Sequence, residues 1–123
     1  MITGNGKYDF INGTCLLLDK PYGWTSFDLV GKVRNLITRK LELKKLKVGH
    51  AGTLDPLASG LMIICTGKHT KRIHEFQGLD KNYRSVMELG KTTPSYDLET
   101  AFDAEYEYSH ITPGDIEKVL EKF

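Results

Sequence analysis

An α+β fold with a largely antiparallel sheet is predicted by three features of the chain. Continuous apolar runs at residues 14–18 and 61–65 are short enough to be buried strands. Apolar residues recur at helical spacing after Ser26 and again after Thr112. Strands and helices then mix without a regular βαβ rhythm, which argues against a parallel, doubly wound sheet. At 123 residues, with 40% hydrophobic and 27% charged side chains, the chain has the length and balance of one globular core.

Taken in order, residues 1–12 are polar and glycine-bearing, with Tyr8 and Phe10 as the strong anchors, and read as an N-terminal arm that packs loosely or against a neighbour. Residues 13–123 form the body. Thr14-Cys15-Leu16-Leu17-Leu18 is a strand, ended by the turn chemistry of Lys20-Pro21-Tyr22-Gly23. Thr25 or Ser26 caps a helix with Asp28 in its first turn, where the helix dipole favours an acid. Leu29, Val30, Val33, Leu36, Ile37 and Leu41 form its buried stripe, with Lys32, Asn35 and Arg39 on the other side. The basic run Lys44-Lys45-Leu46-Lys47 is either a solvated loop or a phosphate contact.

A second strand at residues 61–65 leads through Gly67 into a short helix ending near Phe76, with Ile73 and Phe76 inward. Residues 82–89 alternate, placing Tyr83, Met87 and Leu89 on one face of a half-exposed strand. Phe102, Ala104, Tyr106 and Tyr108 alternate with acids in strict period two and predict another. Thr112-Pro113-Gly114-Asp115 starts the closing helix, with Ile116, Val119, Leu120 and Phe123 inward.

Composition narrows the class. Cys15 and Cys65 lie inside apolar runs and are too few for a disulfide framework or a zinc site, so reduced thiols and a cytoplasmic location are expected. No apolar run reaches the length of a membrane span, and the N-terminus does not have the pattern of a signal peptide. The net charge of +1 conceals an asymmetry: residues 1–93 carry 15 Lys/Arg against 8 Asp/Glu, and residues 94–123 carry 2 against 8. A basic body suits a polyanionic partner, because phosphate contacts supply much of nucleic-acid affinity. Ordinary solvated lysine would look the same.

The segment with most chemistry is His50-Ala51-Gly52-Thr53-Leu54-Asp55-Pro56-Leu57-Ala58-Ser59-Gly60-Leu61. Two glycines bracket a single carboxylate, Asp55, and Pro56 fixes the backbone after it. With no second acid nearby, Asp55 is either a lone nucleophile or a turn cap, and Asp-Pro is a frequent turn former. The whole stretch resembles the signature of the tRNA pseudouridine synthase B family, in which the aspartate of G-T-L-D-P is the nucleophile. Other blocks agree in order. Lys20 to Ser26 is similar to the family's K-P-x-G-x-[ST]-S, Gly67 to Lys71 to its G-x-x-T-K, and Lys81-Asn82-Tyr83 to its K-x-Y, while Asp97 falls in the acidic loop after Gly90.

The resemblance implies an isomerase that converts the T-loop uridine of tRNA to pseudouridine on a flipped-out base, with no cofactor and no metal. Asp55 would be the nucleophile, at ribose C1′ or on the uracil ring, or would assist glycal formation. Attack requires the ionised carboxylate, which a nearby cation would favour. Tyr83 would stack on the target base, His50 would contact the extruded nucleotide, and Lys20 with Pro21 would shape the loop around Asp55. On residue type alone, Tyr83 reads as a cross-strand aromatic and His50 as a turn or core histidine. The expected partner is the T-arm stem-loop of tRNA, with neither DNA nor a membrane.

One departure stands out. In the family, the helix ending near Phe123 is followed by a G-x-I-x-Q-x-P-P segment and by a motif whose arginine pairs with the aspartate; neither is in this chain. The expectation is therefore the N-terminal half of a catalytic domain, inactive alone and prone to self-association through uncovered apolar surface. The rival reading is a non-catalytic RNA-binding module; a blander one is a small α+β interaction domain with Asp55 as a turn cap.

Overall fold

The computed structural model describes residues 8–123 and divides the chain into two compact units, one extending to Lys81 and the other spanning Asn82–Phe123. Residues 1–7 of the expected arm lie outside the described residues. The fold is α+β, with antiparallel pairing throughout its strands.

The first unit holds β1 (Cys15–Lys20), α1 (Ser26–Lys40), β2 (Val48–His50), β3 (Gly60–Thr66), a 3-10 turn (Gly67–Arg72) and α2 (Ile73–Gln77). Both expected apolar runs are strands, and they pair in one register from Cys15 opposite Cys65 to Lys20 opposite Gly60. The short β2 adds to the other side of β3, giving the order β1-β3-β2. Leu16, Met62 and Ile64 cluster with Leu29, Val30, Val33 and Ile37 of α1 and with Leu46 to form the core. Ile64 is 0% and Met62 2% exposed, each side chain contributing about 2 kcal/mol of hydrophobic stabilisation. Alternate residues on the same strands face away from α1, and Leu17 and Leu61 there are 65% and 66% exposed.

Thr25 is the N-cap of α1. Its hydroxyl accepts from the Asp28 N–H at 3.0 Å, and the Asp28 carboxylate accepts from the Thr25 N–H at 2.9 Å. The buried stripe is narrower than its sequence pattern predicts. Leu36 is 57% and Leu41 45% exposed, because Leu36 falls outside the arc shared by Leu29, Val33 and Ile37, and Leu41 is already the C-cap. Tyr8 and Phe10 stack with ring centroids 5.7 Å apart and pack against the core. Asp9 closes the next turn by accepting from the Asn12 N–H at 2.8 Å. The backbone of this turn passes so close to Gly67 (φ +53°) that a Cβ there would come 2.1 Å from the Ile11 carbonyl. Only glycine fits.

The second unit contains β4 (Lys91–Thr92), β5 (Ala104–Glu105) and α3 (Pro113–Leu120). Residues 82–89 are not a strand, contrary to their alternation. Within this unit the ladder pairs only Lys91 with Glu105 and Thr92 with Ala104, so the segment has no neighbouring strand to bond. Tyr83 and Met87 are accordingly 74% and 81% exposed. The period-two run at 102–108 likewise shortens to β5, although Lys91 Nζ lies 4.5 Å from the Phe102 ring centroid and the Tyr106 N–H donates to the Gly90 carbonyl at 2.7 Å. The α3 cap is as predicted: the Thr112 hydroxyl accepts from the Asp115 N–H at 3.3 Å, with Pro113 at the first helical position. Its apolar side is not covered, and Ile116, Val119, Leu120 and Phe123 are 42%, 51%, 63% and 102% exposed.

Both capping carboxylates titrate below the ordinary value, chiefly through hydrogen bonds from the threonine side chain and backbone. Their contribution to stability is complete above the unfolded pKa of about 4 and is lost as pH falls through the lower folded value. Far-UV circular dichroism during acid titration is expected to show helix loss in that window. Asp28→Asn, which cannot titrate, should flatten the α1 part of the transition.

Candidate active site

The polypeptide between β2 and β3 is irregular, yet it is fastened on both sides of Asp55. On the N-terminal side, Ser26, the first residue of α1, is 4% exposed and takes both backbone groups of Leu54. Its hydroxyl accepts from the Leu54 N–H at 2.9 Å and donates to the Leu54 carbonyl at 2.9 Å. The Leu54 side chain packs against the core.

On the C-terminal side, the Pro56 carbonyl accepts from the Gly23 N–H at 2.8 Å and from Lys20 Nζ at 3.4 Å. Lys20 is the last residue of β1, and it is 0% exposed. Its ammonium also donates to the carbonyls of Pro21 (3.2 Å) and Trp24. A buried ammonium is costly unless its protons find acceptors. Here three backbone oxygens from two segments converge on it, so the turn at 21–24 and the loop at 56 close around one cation. Within the loop the Ala58 N–H donates to the Asp55 carbonyl at 3.0 Å.

The Asp55 side chain is exposed and takes part in no hydrogen bond or ion pair among the described residues. A capping aspartate would bond nearby backbone, as Asp9 does with the Asn12 N–H three residues on and Asp28 with the Thr25 N–H three residues back. Asp55 does not. The loop holds its backbone from both flanks and leaves its carboxylate presented to solvent.

His50 ends β2, opposite Ile64. Its Nδ1 lies 2.8 Å from the Gly52 carbonyl. A carbonyl can only accept, so Nδ1 carries the proton and Nε2 is left as the ring's second polar atom. In the first unit Lys20 ends β1 opposite Gly60 and bonds the Pro56 carbonyl next to Asp55, whereas His50 lies opposite Ile64, four residues further along β3. Tyr83 belongs to the second unit, outside any strand. Leu46 is buried in the core, while Lys44, Lys45 and Lys47 are exposed. Lys32 and Asn35 line an open groove along α1 together with Trp24 and Phe27. Among the described residues no three His, Cys, Asp or Glu side chains converge as metal ligands, and no helix is long and apolar enough to cross a membrane.

Ser26 escapes a reading by residue type, which offers it only as a possible N-cap. Its spacing from Lys20 within the K-P-x-G-x-[ST]-S block was the available signal. Ser26→Ala is expected to leave both polar groups of Leu54 without their partner and to cost about 1–2 kcal/mol, read from the urea midpoint.

Comparison with known proteins bears on this site. Residues 38–123 match the family model described as TruB family pseudouridylate synthase (N terminal domain). The tRNA pseudouridine synthase B of Parabacteroides distasonis is 58% identical over 115 residues, which cover 94% of this chain and 49% of that protein. That of Flavobacterium johnsoniae is 49% identical over 116 residues, 94% of this chain and 51% of that protein. That of Chlorobium luteolum is 53% identical over 100 residues, 81% of this chain and 34% of that protein. The chain spans about half the length of the first two of these curated relatives.

Proposed function

The chain belongs to the TruB pseudouridylate synthase family, and on that premise we propose that it carries the nucleophile of an enzyme that isomerises the T-loop uridine of tRNA to pseudouridine. The observation that supports this most is the Asp55 carboxylate: unpartnered, exposed, and borne by a loop bonded at Leu54 and at Pro56. Such a group is poised for an external electrophile.

In this reaction the N1–C1′ bond of the nucleotide breaks, a C5–C1′ bond forms, the C5 proton leaves and N1 takes one up, so the nucleotide is isomerised with no net oxidation or reduction. Asp55 would attack the ribose or the ring, or assist loss of the base. A fixed backbone helps here because a displaced nucleophile forfeits the proximity that makes the attack effectively unimolecular. Tyr83 would stack on the extruded base, offsetting an unstacking cost of a few kcal/mol. His50, its Nδ1–H tied to Gly52, would offer Nε2 to the RNA. Lys20 acts as a positioning residue for the Asp55 loop through the Pro56 carbonyl. Exposed lysines such as Lys44, Lys45 and Lys47 would meet phosphates. The reaction belongs in the cytoplasm, where tRNA matures.

The test uses the chain extended to the length of its relatives and a T-arm stem-loop RNA. Pseudouridine is expected at the T-loop uridine and nowhere else in the stem-loop, mapped by carbodiimide-dependent primer stops. Tight binding without conversion would favour the RNA-binding module, and conversion at a different uridine would overturn the assigned substrate.

A further inference from the structure

Two thiols face each other inside the sheet and have no part in the chemistry above. Cys15 and Cys65 stand opposite in the β1–β3 register, with their sulfurs 3.6 Å apart. The ladder defines the kind of pair. The Thr66 N–H donates to the Thr14 carbonyl at 2.9 Å, so the adjacent pair, Cys15 and Cys65, exchanges no backbone hydrogen bonds. In such pairs the Cα atoms lie about 4.5 Å apart, within the range of roughly 4.4–6.8 Å that a disulfide spans. The two sulfurs therefore need only side-chain rotation to reach a bond length of about 2 Å.

The two thiols differ. Cys65 is 0% exposed, while Cys15 is half-buried and lies 3.6 Å from His69 Nδ1. His69 cannot swing aside freely, because its ring packs under Gly13, where a Cβ would come within 2.7 Å of it. Burial and the neighbouring Cys15 push the Cys65 thiol up to about 12, so it keeps its proton at neutral pH. Cys15 is the thiol that both solvent and an imidazole reach.

We propose that Cys15 and Cys65 are an oxidation site, at which a hydroperoxide converts the facing thiols into a cross-strand disulfide between β1 and β3. In the first step Cys15 passes its proton to His69 Nδ1 and its sulfur attacks the peroxide. The O–O bond breaks, Cys15 becomes a sulfenic acid, and the departing oxygen leaves as water once His69 returns the proton. In the second step the Cys65 sulfur attacks the Cys15 sulfur and the S–O bond breaks. The hydroxide released takes the Cys65 proton as a second water. The pair loses two protons and two electrons, and one hydrogen peroxide becomes two waters. The bond would tie together the strands whose opposite ends carry Lys20, which bonds the Pro56 carbonyl, and Gly60, where β3 begins.

The test treats the chain with hydrogen peroxide, removes the oxidant with catalase, blocks free thiols with N-ethylmaleimide under denaturing conditions, and reads intact and peptide masses. The expected product has lost two hydrogens, takes up no maleimide at either cysteine, yields a linked Cys15–Cys65 peptide, and recovers both thiols with dithiothreitol. Cys65→Ala is expected to stop at the Cys15 sulfenic acid, trapped by dimedone. In Cys15→Ser, which leaves the buried position intact, Cys65 should survive the same treatment as a free thiol. Oxygen added at Cys15 with Cys65 still free in the parent chain, a disulfide between two chains, or two untouched thiols would each overturn the proposal.

Discussion

Asp55→Asn, made in the chain extended to the length of its relatives, is expected to abolish pseudouridine formation while leaving fold and RNA binding intact. The substitution keeps the volume and polarity of the side chain and removes only the anion. A neutral amide is no nucleophile, so loss of turnover should reach roughly four orders of magnitude or more, the scale seen when an enzyme's attacking group is removed. The folded state should scarcely respond, because the carboxylate makes no hydrogen bond or ion pair among the described residues. An unchanged unfolding midpoint and an unchanged Kd for the stem-loop, together with no product, is the expected pattern. A turn cap would show itself in Asp55→Ala instead, with stability falling by about 1 kcal/mol.

Lys20→Met is expected to give the second large effect, on stability and turnover together. Methionine retains the apolar stem but removes the three donations to the carbonyls of Pro21, Trp24 and Pro56. Hydrogen bonds from a charged donor contribute about 1.5–3 kcal/mol each. Relief from burying an ammonium offsets part of that loss. The Pro56 carbonyl also keeps its bond from the Gly23 N–H. A net cost of about 2–3 kcal/mol follows, measurable as a lower urea midpoint. Because Pro56 adjoins the nucleophile, a loosened loop should also lower kcat by about 100-fold, the scale of a 1 Å misplacement. Wild-type stability and kcat in this variant would show that the buried lysine does not hold the loop.

The two long strands and the capped helix starts were legible because their signals are local. The runs of β1 and β3 are continuous and apolar, and the Thr25–Asp28 and Thr112–Asp115 pairs cap the helices they announce. Lys20 was legible only as part of a motif. Lysine normally marks surface, and its burial becomes tolerable only after the 21–24 turn and the Asp55 loop have folded around it. Asp55 illustrates the reverse difficulty. Residue type and the following proline favour a cap, and only the position of every possible partner shows that the carboxylate makes none. In the second unit, alternation at 82–89 misleads because period two describes a strand that has a neighbour, and that segment has none within its unit. The inward face expected for α3 fails likewise, because periodicity locates an apolar stripe without supplying what covers it.

The most direct test of the central claim is a single-turnover measurement of pseudouridine in T-arm stem-loop RNA with the protein in saturating excess, comparing the extended chain with its Asp55→Asn variant. With RNA binding saturated, the comparison reads the chemical step alone. The account predicts stoichiometric product from the parent and none from the variant. A variant that forms pseudouridine within tenfold of the parental rate would contradict it.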